Sequence, residues 1–379
     1  MNKKCCNLKV ALLVNAIVPY RIPVYQNIGL KFEMTIFHGG QESNRSNWKG
    51  IEEKLHGIRA KKSWGFQLPL HKKSKKGGIY DYKFMHITPG YFFDLIRYSP
   101  DAVITVEMGL RSFIALTYGA LFRKPVWIWS GVTLQSEQSV SRVRRILRSF
   151  FVKWTQHWIS YGEAATEYLL SIGVSRENIV QIQNCVDEQV YLQRPAPLLK
   201  LQPKPVLLCV GQFIYRKGVD RLLEAVEKLQ SAGYKFSLLL VGEGTEKKAF
   251  QELAQNLSLE NVVFYPSQPP HLMPQIYQSA DYLVFPTLED IWGLVVNESL
   301  WSGIPALSSI YAGCAREILP EENLFDPLNI DEICRVLRAA LDDEIAQPDT
   351  SKLWCNADVA DKIVGDIERV VCSKNPQFP

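Results

Sequence analysis

Residues 287–299 read TLEDIWGLVVNES. Two carboxylates, Asp290 and Glu298, stand eight positions apart around a Trp-Gly pair, just after the apolar run DYLVF. One reading is a helix N-cap followed by a surface glutamate. The other is a pair of hydrogen-bond acceptors for a polyhydroxylated ligand. If Gly293 opens a helix, the amides around Trp292, Gly293 and Leu294 face whatever lies in front of it. That position is worth about 0.3–1 kcal/mol to an exposed anion, and a glycine there lets a phosphate approach the backbone closely. Two carboxylates beside a phosphate would repel it unless each accepts from hydroxyls, one on a sugar ring and one on a ribose.

A second stretch, GQFIYRKGVD (211–220), follows an apolar run and precedes a helical pattern. Arg216 and Lys217, beside Gly218, could clamp a diphosphate. Paired cations at a helix start are more often a solvated turn, but they oppose the helix dipole, which favours a use for them. VGEGTE (241–246) adds a third strand-to-helix glycine turn at Gly242. It is not GxGxxG, and no such fingerprint follows the first strand, which argues against a nicotinamide dehydrogenase. There is no Asp-x-Asp, so no metal or cofactor is expected.

Regular alternation places these stretches. PVLLCVG, KFSLLLVG, NVVFYP, DYLVFP and IPALSS read as buried strands, separated by the helical patterns GVDRLLEAVEKLQSAG, TEKKAFQELAQNLSL, HLMPQIYQSA and GLVVNESLWSG, with DEICRVLRAALDD after the last strand. The first half alternates less cleanly, through LKVALLV, FEMTIFH, DAVITVE, PVWIWSG and HWISYG. ADVADKIVGDIERVV is a final helix. The pattern predicts an α/β chain of two tandem doubly wound, Rossmann-like domains facing a cleft, with ligands outside the carboxyl ends of the strands. The expected boundaries are 1–190, a proline-rich linker at 191–204, 205–355, and a last helix, 356–379, crossing back to the first domain.

A length of 379 residues also favours two domains. No apolar run reaches the roughly 18–20 residues of a membrane span. The N-terminal MNKKCCNLKVALLVNAIVP faintly resembles a secretion signal, but Lys9 interrupts it and no small-residue cleavage site follows. Eight cysteines lie scattered without metal-ligand or disulfide-framework spacing, so a reducing, cytoplasmic setting is expected. The net charge of +4 is divided: residues 1–195 carry 27 Lys+Arg against 14 Asp+Glu, and residues 196–379 carry 16 against 25. The first half is thus drawn to anionic surfaces.

With these stretches assembled, the chain resembles the retaining GT-B glycosyltransferases of family 4 (glycosyl transferases group 1). GQFIYRKGVDRLLEAVEKL, LLLVGEG, NVVFYPSQPP and QIYQSADYLVFPTLEDIWGLVVNESLWSGIPAL carry the resemblance, in order, over roughly residues 160–320. The resemblance implies a nucleotide-sugar donor on the second domain. Asp290 and Glu298 match the family's E-x7-E pair, the first acid serving the donor sugar and the second the ribose. Lys217 matches its phosphate-binding lysine, and the backbone at Trp292–Leu294 would meet the diphosphate, with Gly211, Gln212 and Gly242 on the same edge. Retention is thought to use no enzyme nucleophile: the leaving diphosphate takes the acceptor proton on the same face.

Three departures stand out. The first acid is Asp rather than Glu, with Glu289 beside it out of spacing. Gln212 occupies the place of a common arginine, for which Arg216 could substitute. No histidine lies between residues 87 and 156, where the family often has one; the six are His38, His56, His71, His86, His157 and His271. Glu107, Ser130 and Glu137 are the nearby polar candidates, and Tyr20 and Arg21 of NAIVPYRIPVY, the segment matching loosely, are further acceptor-side candidates.

KKSWGFQLPLHKKSKK (61–76) and SVSRVRRILRSFFVKWTQHW (139–158) concentrate positive charge. The second interleaves Arg142, Arg144, Arg145, Arg148 and Lys153 with Ile146, Leu147, Phe150, Phe151 and Trp154. It reads either as a surface helix for anionic lipid or as a helix docked on its own domain with a solvated basic face. No nucleic-acid module is present. The expectation is a cytoplasmic, metal-independent retaining glycosyltransferase, peripheral on the inner face of the plasma membrane. It would move a sugar to a glycan or lipid-linked acceptor in polysaccharide or lipopolysaccharide assembly. A catalytically silent binding protein or scaffold and a sugar-nucleotide epimerase are the alternatives.

Overall fold

A computed structural model describes residues 8–40, 50–73, 79–137 and 142–372. The chain forms two compact units, the first made of Met1–Leu70, Phe84–Asp187 and Trp354–Pro379, the second of His71–Lys83 and Glu188–Leu353.

The first unit is built on β1 (Lys9–Val14), β2 (Glu33–His38) and β3 (Arg59–Lys62). A separate two-stranded ribbon follows, β4 (Phe66–Lys73) and β5 (Ile79–Ile87), and then β6 (Ala102–Val106), β7 (Val126–Ser130), β8 (His157–Tyr161) and β9 (Ile179–Ile182). The main sheet is parallel throughout, in the order β3-β2-β1-β6-β7-β8-β9. The five apolar runs of the first half are β1, β2, β6, β7 and β8, buried on both faces as a parallel sheet demands. β3 and β9 have no such run: RAKK is a largely exposed edge strand, and IVQI has only four residues. An edge strand needs only one paired side, so its sequence need not be apolar.

The second unit follows the same plan. Its strands are β10 (Val206–Val210), β11 (Ser237–Val241), β12 (Val262–Tyr265), β13 (Tyr282–Phe285), β14 (Ala306–Ser309) and the two-residue β15 (Leu324–Phe325). Their order, β12-β11-β10-β13-β14-β15, is that of a dinucleotide-binding fold. Leu222, Val226 and Leu229 recur at helical spacing on helix Val219–Ser231, as do Ile333, Val336, Leu337 and Ala340 on Ile330–Leu341. Both helices bury these stripes with Leu207, Leu238, Leu240 and Val284 of the sheet. A fully buried side chain of this kind contributes about 1.5–3 kcal/mol.

The proline-rich stretch after residue 191 is laid along the second unit. The Leu198 amide donates to the Gln275 carbonyl at 3.1 Å and the Leu199 amide to Ser279 Oγ at 3.0 Å. Helix Asn356–Cys372 packs on helix Ile22–Gly29 and β9 of the first unit, where Asn356 Nδ2 donates to the Val186 carbonyl at 2.9 Å. Cys185, Cys209, Cys314, Cys334 and Cys355 are free thiols, whereas Cys372 is disulfide-bonded, a pairing that the cysteine spacing does not announce. Among the described residues no helix is long and apolar enough to cross a membrane.

Candidate active site

In each sheet the strand order reverses at one point, next to the first strand: between β10 and β13 in the second unit, between β1 and β6 in the first. Loops leave such a point in opposite directions and open a crevice at the carboxyl ends of the strands. Most of the residues singled out from the sequence lie at these two points; Glu298 and Glu137 do not.

In the second unit, Arg216 and Lys217 lie on a single 3-10 turn, Tyr215–Lys217, after β10. The turn is fastened to the loop after β13. Leu288 N–H donates to the Arg216 carbonyl at 2.8 Å, Thr287 Oγ1 to the same carbonyl at 3.2 Å, and Arg216 Nη1 to the Glu289 carbonyl at 2.9 Å. Gly218 closes the turn at φ 65°, and a Cβ there would stand 2.1 Å from the Pro286 carbonyl oxygen. No side chain fits.

This fastening brings Lys217 Nζ to 2.5 Å from Asp290 Oδ2, with Arg216 Nη1 at 3.7 Å from the same oxygen. Asp290 Oδ1 accepts from the Trp292 amide at 3.2 Å. Burial would raise the Asp290 pKa. The two cations and the amide more than offset it and hold the carboxylate below its ordinary range. The Trp292 amide is therefore engaged by Asp290. The amides of Gly293 and Leu294 head helix Leu294–Trp301, where no intrahelical acceptor exists. The Trp292 side chain is core: its indole N–H donates to Asn297 Oδ1 at 2.8 Å.

Gly293 is the N-cap at φ 98°, and a Cβ would fall 2.8 Å from Phe285 Cε1. Gly211 and Gly242 meet backbone to backbone, since a Cβ on Gly242 would lie 1.9 Å from the Gly211 carbonyl oxygen. Gln212 is exposed beside them. Gly211, Gln212, Lys217 and Phe285 border one shallow pocket.

Glu298 belongs to a separate network. It is half-buried on helix Leu294–Trp301, and its Oε2 accepts from the Tyr277 hydroxyl at 2.7 Å. Tyr191, whose ring meets that of Tyr277 edge-on at 5.9 Å, is a second hydroxyl donor. Burial raises the carboxyl to about 7, against the lowering pull of both hydroxyls.

The sequence reading passed over the segment Tyr311–Cys314. Asp290 N–H donates to the Tyr311 carbonyl, Gly313 N–H to the Asp290 carbonyl and Cys314 N–H to the Trp292 carbonyl, at 3.2, 3.1 and 3.0 Å. This segment braces the acidic loop from the next strand. Its signal is YAGC one residue after IPALSS, a glycine turn on the same sheet edge. Tyr191 and Tyr277 carry no spacing signal toward Glu298, because a tertiary contact brings them there.

In the first unit the reversal gathers Tyr20 and Arg21 after β1, Glu107 after β6, Ser130 at the end of β7 and Tyr161 at the end of β8. Glu107 adopts a left-handed backbone at φ 62°, and its Oε1 accepts from the Gly131 amide at 3.1 Å. Burial raises its pKa, while Gly131 and three arginines, Arg148, Arg21 and Arg111, pull the other way. Arg111 is spent internally, donating to Asn15 Oδ1 and the Val106 carbonyl. Ser130 is fully buried, with the Val132 amide on its hydroxyl at 3.4 Å. Glu137 lies apart from this group: it pairs with Arg148 at 3.1 Å, and Tyr168 Oη adds a bond at 3.4 Å. His157 stacks on Trp127 at 4.8 Å, and His38 faces Glu52 at 3.2 Å, so neither joins the cluster.

Residues 193–353 match the family described as glycosyl transferases group 1. The sulfoquinovosyl transferase SQD2 of Arabidopsis thaliana is 23% identical over 320 residues, 78% of this chain and 59% of that protein, so this chain spans well under two thirds of that relative. Among solved structures, the lipopolysaccharide outer core galactosyltransferase WaaB is similar at a TM-score of 0.64 and 18% identity, covering 96% of this chain and 95% of that one. HepE of Anabaena in complex with UDP is similar at 0.66 and 15% identity, covering 95% of each chain. These identities establish the fold. The chain therefore carries the GT-B fold, and its second half matches the glycosyl transferases group 1 family.

Proposed function

We propose that this chain is a retaining glycosyltransferase that binds a nucleotide-sugar on its second unit. It transfers the sugar, without metal or cofactor, to a glycan or lipid-linked acceptor in cell-surface polysaccharide or lipopolysaccharide assembly. The observation that carries this reading is the joining of Lys217, Arg216 and Asp290 at the strand reversal, directly before the amides of Gly293 and Leu294. In this reading the cations and amides stabilise the departing diphosphate, the electrostatic role that dominates when no covalent step is made. Asp290 orients Lys217 and accepts from a sugar hydroxyl. Glu298, once ionised, accepts from the ribose. The binding of UDP by HepE supports a nucleotide donor. The name of WaaB, a lipopolysaccharide outer core galactosyltransferase, supports an acceptor of the lipopolysaccharide kind.

The reading extends to membrane contact through helix Arg142–Trp154. Ile146 is 71% and Trp154 51% exposed, and Phe113, Phe150 and Trp154 form a chain of rings at 5.8 and 5.9 Å. Arg144 and Arg145 are exposed on the same helix. This is the charge-plus-apolar composition that anionic lipid attracts.

The test is release of nucleoside diphosphate from a panel of UDP- and GDP-sugars with and without EDTA, using Asp290→Ala and Lys217→Met as controls. The reading expects EDTA-insensitive release from at least one donor, lost in both variants. Free-sugar release independent of any acceptor would point instead to an epimerase.

A further inference from the structure

Arg21 sits in an arrangement that its neighbours within the fold do not complete. Its guanidinium carbon lies 5.5 Å from the Tyr20 ring centroid, 5.2 Å from that of Trp129 and 5.1 Å from that of Tyr161. Three aromatic faces remove water from the cation and return part of its hydration energy as cation–π attraction. Among the described residues no carboxylate pairs with Arg21, and its buried Nε has no hydrogen-bond partner. The same holds for Trp129 Nε1 and for the hydroxyls of Tyr161 and Tyr25, on side chains at most 2% exposed; the Tyr25 hydroxyl faces the guanidinium and interacts with it. A buried polar group left unpaired carries its full desolvation cost. The guanidinium Nε and the groups around it form a set whose cost a ligand would offset.

The chemistry of the set selects that ligand. Arginine N–H, indole N–H and tyrosine O–H are all donors. Glu107, the nearby carboxylate, accepts from the Gly131 amide through Oε1 and interacts with Arg21 through its charge without forming an ion pair. Arg111 is engaged by Asn15 and the Val106 carbonyl. Rings stacked on a guanidinium leave its N–H edge as the interacting face, and that planar fork matches two oxygens of one oxyanion. Arg21 is partly buried: its Nε is covered, while the residue as a whole keeps some exposure. The group lies at the strand reversal of the first sheet, where crevices form.

We propose that Arg21, Trp129 and Tyr161 form an oxyanion-binding site that recognises a phosphate or carboxylate borne by the acceptor. The site rests on the transferase reading for its role but not for its binding chemistry. Phosphate would come from a lipid-linked or phosphorylated glycan, carboxylate from a uronic acid.

The test titrates the full chain with methyl phosphate, with methyl glucuronide and, separately, with UDP, by calorimetry. One of the two small anions is expected to bind, at least tenfold more weakly to Arg21→Gln and several-fold more weakly to Tyr161→Phe, with UDP affinity unchanged. Arg21→Lys, which keeps the charge and loses the fork, is expected to fall between wild type and Arg21→Gln. Tyr161→Phe removes a hydroxyl that no protein group satisfies, so its melting temperature stays level or rises; a structural hydroxyl would lower it. Binding of neither anion, or equal weakening of UDP binding in Arg21→Gln, overturns the proposal. Anion binding that follows this pattern in a chain that releases nucleotide from no donor sugar upholds the site and rejects the transferase reading.

Discussion

The Lys217 ammonium and the Asp290 carboxylate meet at 2.5 Å, tying the loop after β10 to the loop after β13 across the point where the strand order reverses. Both side chains are largely buried, at 14% and 20% exposure. The contact shapes the site and also holds its two halves together.

Lys217→Met leaves Asp290 with Arg216 at 3.7 Å and the Trp292 amide. The variant is expected to lose about 2 kcal/mol of stability at neutral pH and ~10²-fold in nucleotide release. The folded pKa of Asp290 is depressed, so its pairing stabilises the protein above about pH 3.9 and is lost as pH falls through the folded pKa. The difference in melting temperature between wild type and variant should therefore narrow in acid. Equal melting temperatures at pH 7 would refute the coupling.

Glu298 titrates in the opposite sense. Burial raises it to about 7, so the folded state binds a proton that the unfolded chain releases near pH 4.3. Stability attributable to this group falls as pH rises between those values and levels off above about 7. Glu298→Gln, which imitates the protonated acid, should match wild type near pH 4 and melt higher at pH 8. Donor affinity in wild type should rise through pH 7, as the carboxylate becomes an acceptor for ribose; calorimetry with UDP at pH 6 and pH 8 reads this.

Two glycines give a matched pair. Gly293→Ala places a Cβ 2.8 Å from Phe285 Cε1 at φ 98°, and should lower stability by about 2 kcal/mol or more and abolish UDP binding. Gly365→Ala, in the interior of helix Asn356–Cys372, has nothing within 4 Å and should add about 0.5–1 kcal/mol. Thermal melts of both variants check the local backbone.

Arginines on helix Arg142–Trp154 should separate by role. Arg144→Gln with Arg145→Gln is expected to abolish sedimentation with anionic vesicles and to change melting little, because the Arg144–Glu137 pair is long, at 3.7 Å, and half exposed. Arg148→Gln breaks the 3.1 Å pair with Glu137 and should lower the melting temperature. Unchanged sedimentation of the double variant would reject the membrane surface.

Both sheets were legible in their centres, because a strand covered on two faces must be apolar along its length: LLLV and VWIW admit few other readings. Edge strands such as β3 and β15 were not, since one covered side imposes little on the sequence. Positions of the catalytic candidates could be read in the same way. A strand that stops at Gly211, or at Pro286 before Asp290, places the following loop at the carboxyl edge wherever the helix returns.

The residues alone therefore determined that Asp290, Lys217 and Gly293 occupy loops of one sheet edge, because strand and helix periods fix where each element ends. Tertiary structure alone decided what those side chains touch. Lys217 meets Asp290 because β10 and β13 are neighbours across the reversal, 73 residues apart in the chain. Glu298 meets Tyr277 and Tyr191, and Arg21 meets Trp129 and Tyr161, for the same reason. Pairing between distant strands is set by how whole sheets bury their faces, and no local spacing records it.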